Sequence, residues 1–411
     1  MIDEPSRRRF VLAAATSAGA AAICPRLLHA APDTDTLGLV ERIERLDGDW
    51  PAPAPYPPPG DIAFPDAIEH GRVDTVDDAY RFLHDPAVAV HEDVMFAAWY
   101  NCPQKEIVGE SLIRCRRSAD GGRTWSDREV VAADRDRRGI HYVPVQLLSH
   151  SGGLYAFVGK MEGGHDQIKT CALYRRDAPV KADTTGDTWR PIGNVADRFL
   201  PNFAPVRMDD GNYVMAGRTS VAWPAKPMIP AIAISRGDAI NEPWTVIRLT
   251  PGGKPFPDGQ CPETTLIVDG SDLVAITRNN NHKIFIPFVS TSRDFGRTWS
   301  RMSRHNLRAL NSKLYSGTLS TGQHYVIFNH PQARAYRGML VIAVSRPHEA
   351  ALSRIWKVQE SGAFARASRR PIMAHYPCAI EFEGNFHIVY NARFGLHKAC
   401  EMAVIPVASL A

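Results

Sequence analysis

Two series of short motifs recur along this chain with nearly the same period, and their interleaving constrains the fold more than any single segment does. In the first series, Ser118-Ala119-Asp120-Gly121-Gly122-Arg123-Thr124-Trp125 matches Ser292-Arg293-Asp294-Phe295-Gly296-Arg297-Thr298-Trp299 in the form S-x-D-x-G-x-T-W. A looser copy runs from Asp183 to Trp189. Two eroded copies keep Ser-Arg and the tryptophan: Ser235-Arg236 with Trp244, and Ser345-Arg346 with Trp356. The five tryptophans lie 64, 55, 55 and 57 residues apart. In the second series a turn leads into an apolar strand. It recurs at Asp93-Val94, Gly153-Leu154, Gly211-Asn212-Tyr213, Asp272-Leu273, Gly322-Gln323-His324-Tyr325 and Gly384-Asn385-Phe386. The first apolar residues of these six copies are 52–61 residues apart.

A turn-strand repeated six times, with a boxed hairpin in five of the six periods, predicts an all-β, six-bladed β-propeller over residues 65–411. The box has a local physical role. Its Asp carboxylate accepts backbone N–H groups within the turn, its Gly permits positive φ, and its Trp packs between neighbouring sheets. The boxes are therefore read as fold features. The last period lacks a tryptophan box and ends in Glu401-Met402-Ala403-Val404-Ile405-Pro406-Val407, so ring closure is expected to bring an N-terminal strand there.

Ahead of the repeats, Ser6-Arg7-Arg8-Arg9-Phe10-Val11-Leu12 and an Ala-rich run fit a twin-arginine export signal over residues 1–31. The expected location is periplasmic or secreted. Residues 32–64 read as a Pro-rich linker or arm, because Pro51 to Gly60 cannot sustain a helix or an inner strand. Formal net charge is +4, and segment 1–31 carries four basic and two acidic residues, so the remainder is at +2. Neither value argues for nucleic acid as a partner. No apolar run reaches the ~18–20 residues of a membrane span. After residue 31 six cysteines remain, with no C-x-x-C pair, and their pairing is not readable from spacing. No H-E-x-x-H or acidic calcium-loop pattern appears, so the sequence implies no metal and no cofactor.

The boxes and their period resemble the sialidase (neuraminidase) superfamily over roughly residues 75–408. That resemblance implies an acidic oligosaccharide or polysaccharide as substrate and assigns candidate residues. Tyr376, in Tyr376-Pro377-Cys378, stands where the superfamily has its tyrosine nucleophile. Glu263, in Pro262-Glu263-Thr264, stands where it has the base to that tyrosine, and Arg278 follows fifteen residues on. Arg337 follows His330-Pro331, as a further superfamily arginine follows a His-Pro dipeptide. Arg278 and Arg337 would fork onto a sugar carboxylate. Arg218, ending the strand from Tyr213, is a third candidate.

Two departures from the superfamily stand out. Its first Arg-x-Pro is His84-Asp85-Pro86 here, which makes Asp85 a substrate-binding candidate and leaves His84 with at most a conditional charge. The acid/base aspartate would fall near Glu106, which keeps the chemistry and lengthens the arm. Both changes leave the acidic sugar as sialic acid or a related carboxylated sugar. The leading expectation is an exo-glycosidase of the sialidase type, with Tyr376, Glu263 and Glu106 in the chemistry. A rival is a uronate lyase, in which His84 or His141 abstracts the proton next to a carboxylate and arginines stabilise the intermediate. His165 and Asp166 are further candidates for that site. The third expectation is a carbohydrate-binding propeller without turnover.

Overall fold

The computed structural model describes residues 37–46, 57–163, 167–180, 188–220, 228–249, 262–281, 283, 285–331, 337–361, 373–394 and 397–411. The expected export signal, His165, Asp166, Cys261 and the Asp183–Asp187 part of the third box lie outside them. Six antiparallel sheets follow one another along the chain, and each is entered by its innermost strand. The first blade runs Phe82–His91, Val94–Cys102, Leu112–Ser118, Glu129–Ala133, and the second runs Ile140–His150, Gly153–Glu162, Ile168–Arg176, Trp189–Asp197. The third opens with the short strand Phe199–Pro201, followed by Tyr213–Ser220, Met228–Ile234 and Thr245–Arg248. The fourth runs Thr264–Asp269, Asp272–Thr277, Phe288–Ser292, Ser303–Arg304. The fifth runs Tyr315–Thr318, His324–Asn329, Met339–Val344, Arg354–Glu360.

The sixth blade contains Met373–Phe382, Asn385–Phe394 and His397–Pro406, and its outermost strand is Glu69–Thr75. That strand pairs antiparallel with His397–Pro406, from Glu69 opposite Val404 to Thr75 opposite Ala399. The expected ring closure is therefore made by hydrogen bonds between strands from the two ends of the repeat region. Inner strands of successive blades also touch, including the first with the sixth. The structure is a six-bladed propeller, as the repeats predicted.

The two strict boxes have the local geometry expected of them. Asp120 accepts from the Thr124 backbone N–H at 2.9 Å and from its hydroxyl at 2.6 Å, while Ser118 Oγ accepts from Gly122 N–H at 2.7 Å. Asp294, Thr298, Ser292 and Gly296 repeat the pattern. The two Thr124 donors are the main reason the Asp120 carboxyl sits at about 2. Gly122 has φ 91°, and a side chain there would collide with Met402. The tryptophans bridge sheets: Trp189, on the second blade, donates to Glu129 of the first at 3.0 Å, and Trp244 meets Phe157 edge-on at 5.3 Å. Arg176 grips the same Glu129 with two hydrogen bonds, which ties the first two blades together.

Within the segment expected to be an arm, Leu39–Arg45 forms a helix. Leu39 packs with Ile267 and Val274 of the fourth blade, and Val40 N–H donates to Asp272. No helix among the described residues is long and apolar enough to cross a membrane.

Candidate active site

Three of the innermost strands carry a proline that breaks the ladder. Pairing skips from His84 to Ala87, from Tyr142 to Val145, and from His375 to Cys378. Proline supplies no N–H, so the strand bulges there, and the bulge re-aims the residue before it. Asp85 and Tyr376, each preceding a proline, have φ of 52° and 59°, and Arg337 has φ 54°. These are three of the non-glycine residues in this costly region, and at Asp85 and Tyr376 the strained backbone sets the direction of side chains that meet at one end of the channel.

Tyr376 Oη donates to Glu263 Oε1 at 2.9 Å. Arg278 Nη1 donates to Glu263 Oε2 at 2.6 Å and to Tyr376 Oη at 2.9 Å, closing a triangle. Arg218 Nη1 lies 3.3 Å from Glu263 Oε1. The spacing of Glu263 and Arg278 has a simple origin: they flank the paired strands Thr264–Asp269 and Asp272–Thr277, and Arg278 N–H donates to Glu263 O at 2.8 Å. Glu263 is 4% exposed and Arg278 7%. Burial pushes the Glu263 carboxyl up, but the charges of Arg278, Arg218 and Lys313 outweigh it and hold it at about 2. Glu263 is therefore an anion, held ready beside the phenol.

Arg337 comes from the fifth blade. Its Cζ stands 5.5 Å from the Tyr376 ring centroid, its Nη2 donates to Asn311 O at 2.9 Å, and its Nη1 lies 3.5 Å from His375 Nδ1. Glu106 sits on the exposed loop after the strand Val94–Cys102 and accepts from Tyr100 Oη at 2.9 Å. Asp85, Tyr100, Glu106, Arg218, Glu263 and Tyr376 line one small cavity.

The first-blade departures have distinct outcomes. His84 is buried, with its ring centroid 4.1 Å from that of Tyr376, 5.3 Å from that of His375 and 5.6 Å from that of Tyr100. Burial, then the charges of His375, Lys398, Arg337 and Lys313, drive its pKa well below the usual histidine range, so it is neutral. Asp85 forms an ion pair with Lys313, which is only 1% exposed, and its backbone N–H donates to Asn391 Oδ1 at 2.8 Å. Its carboxylate is thus engaged from within. Burial raises the Asp85 pKa, with Glu263 adding to that and Lys313 opposing it.

Tyr376, Glu263, Arg278, Arg218, Arg337, Glu106, Asp85 and His84 are thus gathered around one mouth. His141 is not part of this contact network; it stands half-buried at the start of the second blade's inner strand, influenced by Asp134. Sequence reasoning missed Lys313, His375, Lys398 and Tyr100. Tyr100 had a findable signal, since it pairs directly with His84 in the strand register. His375 adjoins Tyr376. Lys313 and Lys398 carry no local motif. Among the described residues no group of three or more His, Cys, Asp or Glu is placed to hold a metal ion.

A family model described as BNR repeat-like domain matches residues 93–388. No curated protein sequence matches the chain. Among solved structures, the chain is similar to Trypanosoma rangeli sialidase in complex with sialic acid, at 13% identity and TM-score 0.63, covering 85% of this chain and 60% of that one. It is also similar to a mutant of NanB sialidase from Streptococcus pneumoniae, at 9% identity and TM-score 0.58, covering 82% and 70%. A protein of unknown function from Dyadobacter fermentans is similar at 11% identity and TM-score 0.61, covering 82% and 98%. The chain spans about 60% of the length of the trypanosomal enzyme, and at these identities the likeness is one of fold. The family match over residues 93–388 shows that this chain belongs to the BNR repeat-like family, and its six-bladed ring is the fold it shares with those sialidase structures.

Proposed function

We propose that this protein is an exported exo-glycosidase of the sialidase type, hydrolysing the glycosidic bond of a carboxylated sugar. The observation that carries the reading is the triangle of Tyr376, Glu263 and Arg278. A neutral phenol approaches an anomeric carbon bearing a carboxylate without charge repulsion, and Glu263 accepts its proton as the O–C bond forms. Glu106 gives its proton to the departing glycosidic oxygen. Water then attacks the same carbon, loses its proton to Glu106 and releases Tyr376, whose oxygen regains the proton from Glu263. Atoms balance over the two displacements, and the anomeric configuration is retained.

The arginines have two tasks in turn. Arg278 and Arg218 hold Glu263 strongly acidic, which makes it a weak base. A substrate carboxylate competes for the same guanidinium groups, as planar forks suit it. That competition weakens their hold on Glu263 and raises its basicity when a substrate is present to react. A lyase using His84 as its base would need that ring, packed among Phe82, Tyr100, His375 and Tyr376, to reach a sugar carbon. The hydrogen-bonded Tyr376–Glu263–Arg278 triangle, with its nucleophile and base already paired, supports hydrolysis instead.

The test is product analysis on sialosides and on uronate-containing glycans. Release of a saturated free acid sugar is expected. An ultraviolet-absorbing unsaturated uronate would establish elimination instead, and binding without any product would point to a non-catalytic propeller.

A further inference from the structure

On the mouth side, the sixth blade ends in a cross-strand pair of like charges. Arg393 stands directly opposite Lys398 in the register of the last two long strands. Like charges so placed repel, and a fold normally avoids the arrangement or uses it. Arg393 is also opposite Met373, which shares a face with His375 two positions on. His375 in turn approaches Arg337. The Lys398 ammonium lies 3.3 Å from the Phe82 ring centroid, Phe82 stacks on Tyr100 at 5.9 Å, and Tyr100 donates to Glu106. A line of contacts therefore runs from the cationic pair to the residue read as acid/base.

The half-buried Lys398 is under electrostatic stress. Burial lowers its pKa most, and Arg393 and Arg337 lower it further while Glu106 opposes them, leaving it at about 8. An anion seated between Lys398 and Arg393 would relieve both the repulsion and the depressed basicity. A lysine point charge beside an arginine fork suits an oxyanion.

We propose that Lys398 and Arg393 form a second anion-binding subsite, on the leaving-group side of the bond, which takes a carboxylate or sulfate carried by the neighbouring sugar. The side of the bond rests on the reading of Glu106 as acid/base; the cationic pair does not. The substrate class is then a polyanionic glycan rather than one acidic cap on a neutral chain.

Crystals soaked in sodium selenate test this through the anomalous signal of selenium. A peak between Lys398 and Arg393, lost in the Lys398→Gln/Arg393→Gln variant, is the expected result. Sulfate should raise the melting temperature of the parent protein by about 2 °C or more beyond any rise in that variant. Lys398→Arg should keep the effect, and single Lys398→Gln serves if the double variant does not fold. A selenium peak only at Arg278 and Arg337 would overturn the subsite and leave the proposed clamp standing. A peak only at Lys398 and Arg393 would support the subsite and count against the clamp. No peak at either place, or equal sulfate stabilisation of parent and variant, would overturn the subsite.

Discussion

Tyr376 and Glu263 are 113 positions apart in the chain, yet their side chains share a 2.9 Å hydrogen bond in which the phenol donates. Neither residue could make that contact from its own blade, because one sits at the sixth and the other at the fourth. The ring places them together, and Arg278 bonds to both.

Tyr376→Phe is expected to fold and to lose turnover by about a thousandfold or more, since it removes the attacking oxygen and leaves the ring contacts in place. Initial rates and a thermal melt check this together. Turnover near that of the parent would remove the tyrosine from the chemistry.

Acid stability reports on Glu263. Its folded pKa of about 2 lies below the ordinary 4.5, so its contribution to stability is present above the unfolded value and is lost as pH falls through the folded one. Unfolding free energy should therefore decline between pH 4.5 and about 2. Glu263→Gln should flatten that decline and destabilise the protein by about 3–5 kcal/mol at neutral pH, because Arg278 and Arg218 lose their buried counter-charge. Denaturant melts across that pH range measure both effects.

Placing an arginine at position 84 is expected to harm the fold. The pocket around His84 already feels Lys398, Arg337 and Lys313, and it keeps the imidazole neutral. His84→Arg should lower stability by about 2–4 kcal/mol as a buried like charge. An unchanged melting temperature would show that the pocket has room and counter-charge for a guanidinium.

The Asp85–Lys313 pair lies beneath the cavity with Lys313 almost fully enclosed. Lys313→Met should cost about 3–5 kcal/mol by stranding Asp85, and adding Asp85→Asn should recover part of the loss. A double-mutant cycle reads the coupling. Additive losses would mean that the pair does not act as a unit.

Cys102, Cys115, Cys171, Cys378 and Cys400 are buried free thiols, and burial raises Cys102 to about 11. In a Cys24→Ser/Cys261→Ser background, none should react with a thiol reagent until denaturant is added. Rapid labelling of the native protein would show that blades open locally.

The ring was legible in the sequence because each blade repeats the same two local signals, a turn into an apolar strand and a boxed hairpin. Tyr376, Glu263 and Arg278 were legible because order and spacing survive divergence: Glu263 and Arg278 flank a single hairpin. Lys313 and Lys398 were not, since a lone lysine looks the same whether it is solvated or enclosed. Only the ring shows that Lys313 meets Asp85 from 228 positions away. His141 was drawn into the reading by its residue type alone; among the described residues its strand meets the cavity beside Tyr376 through Val143 and Pro144.

The pairing of Glu69–Thr75 with His397–Pro406 has a temporal consequence. During synthesis the earlier strand emerges more than three hundred residues before its partner and must wait without one. Five blades can form in succession, but the circle locks only once the late strand arrives, so the site at its mouth matures in a single final event rather than by degrees.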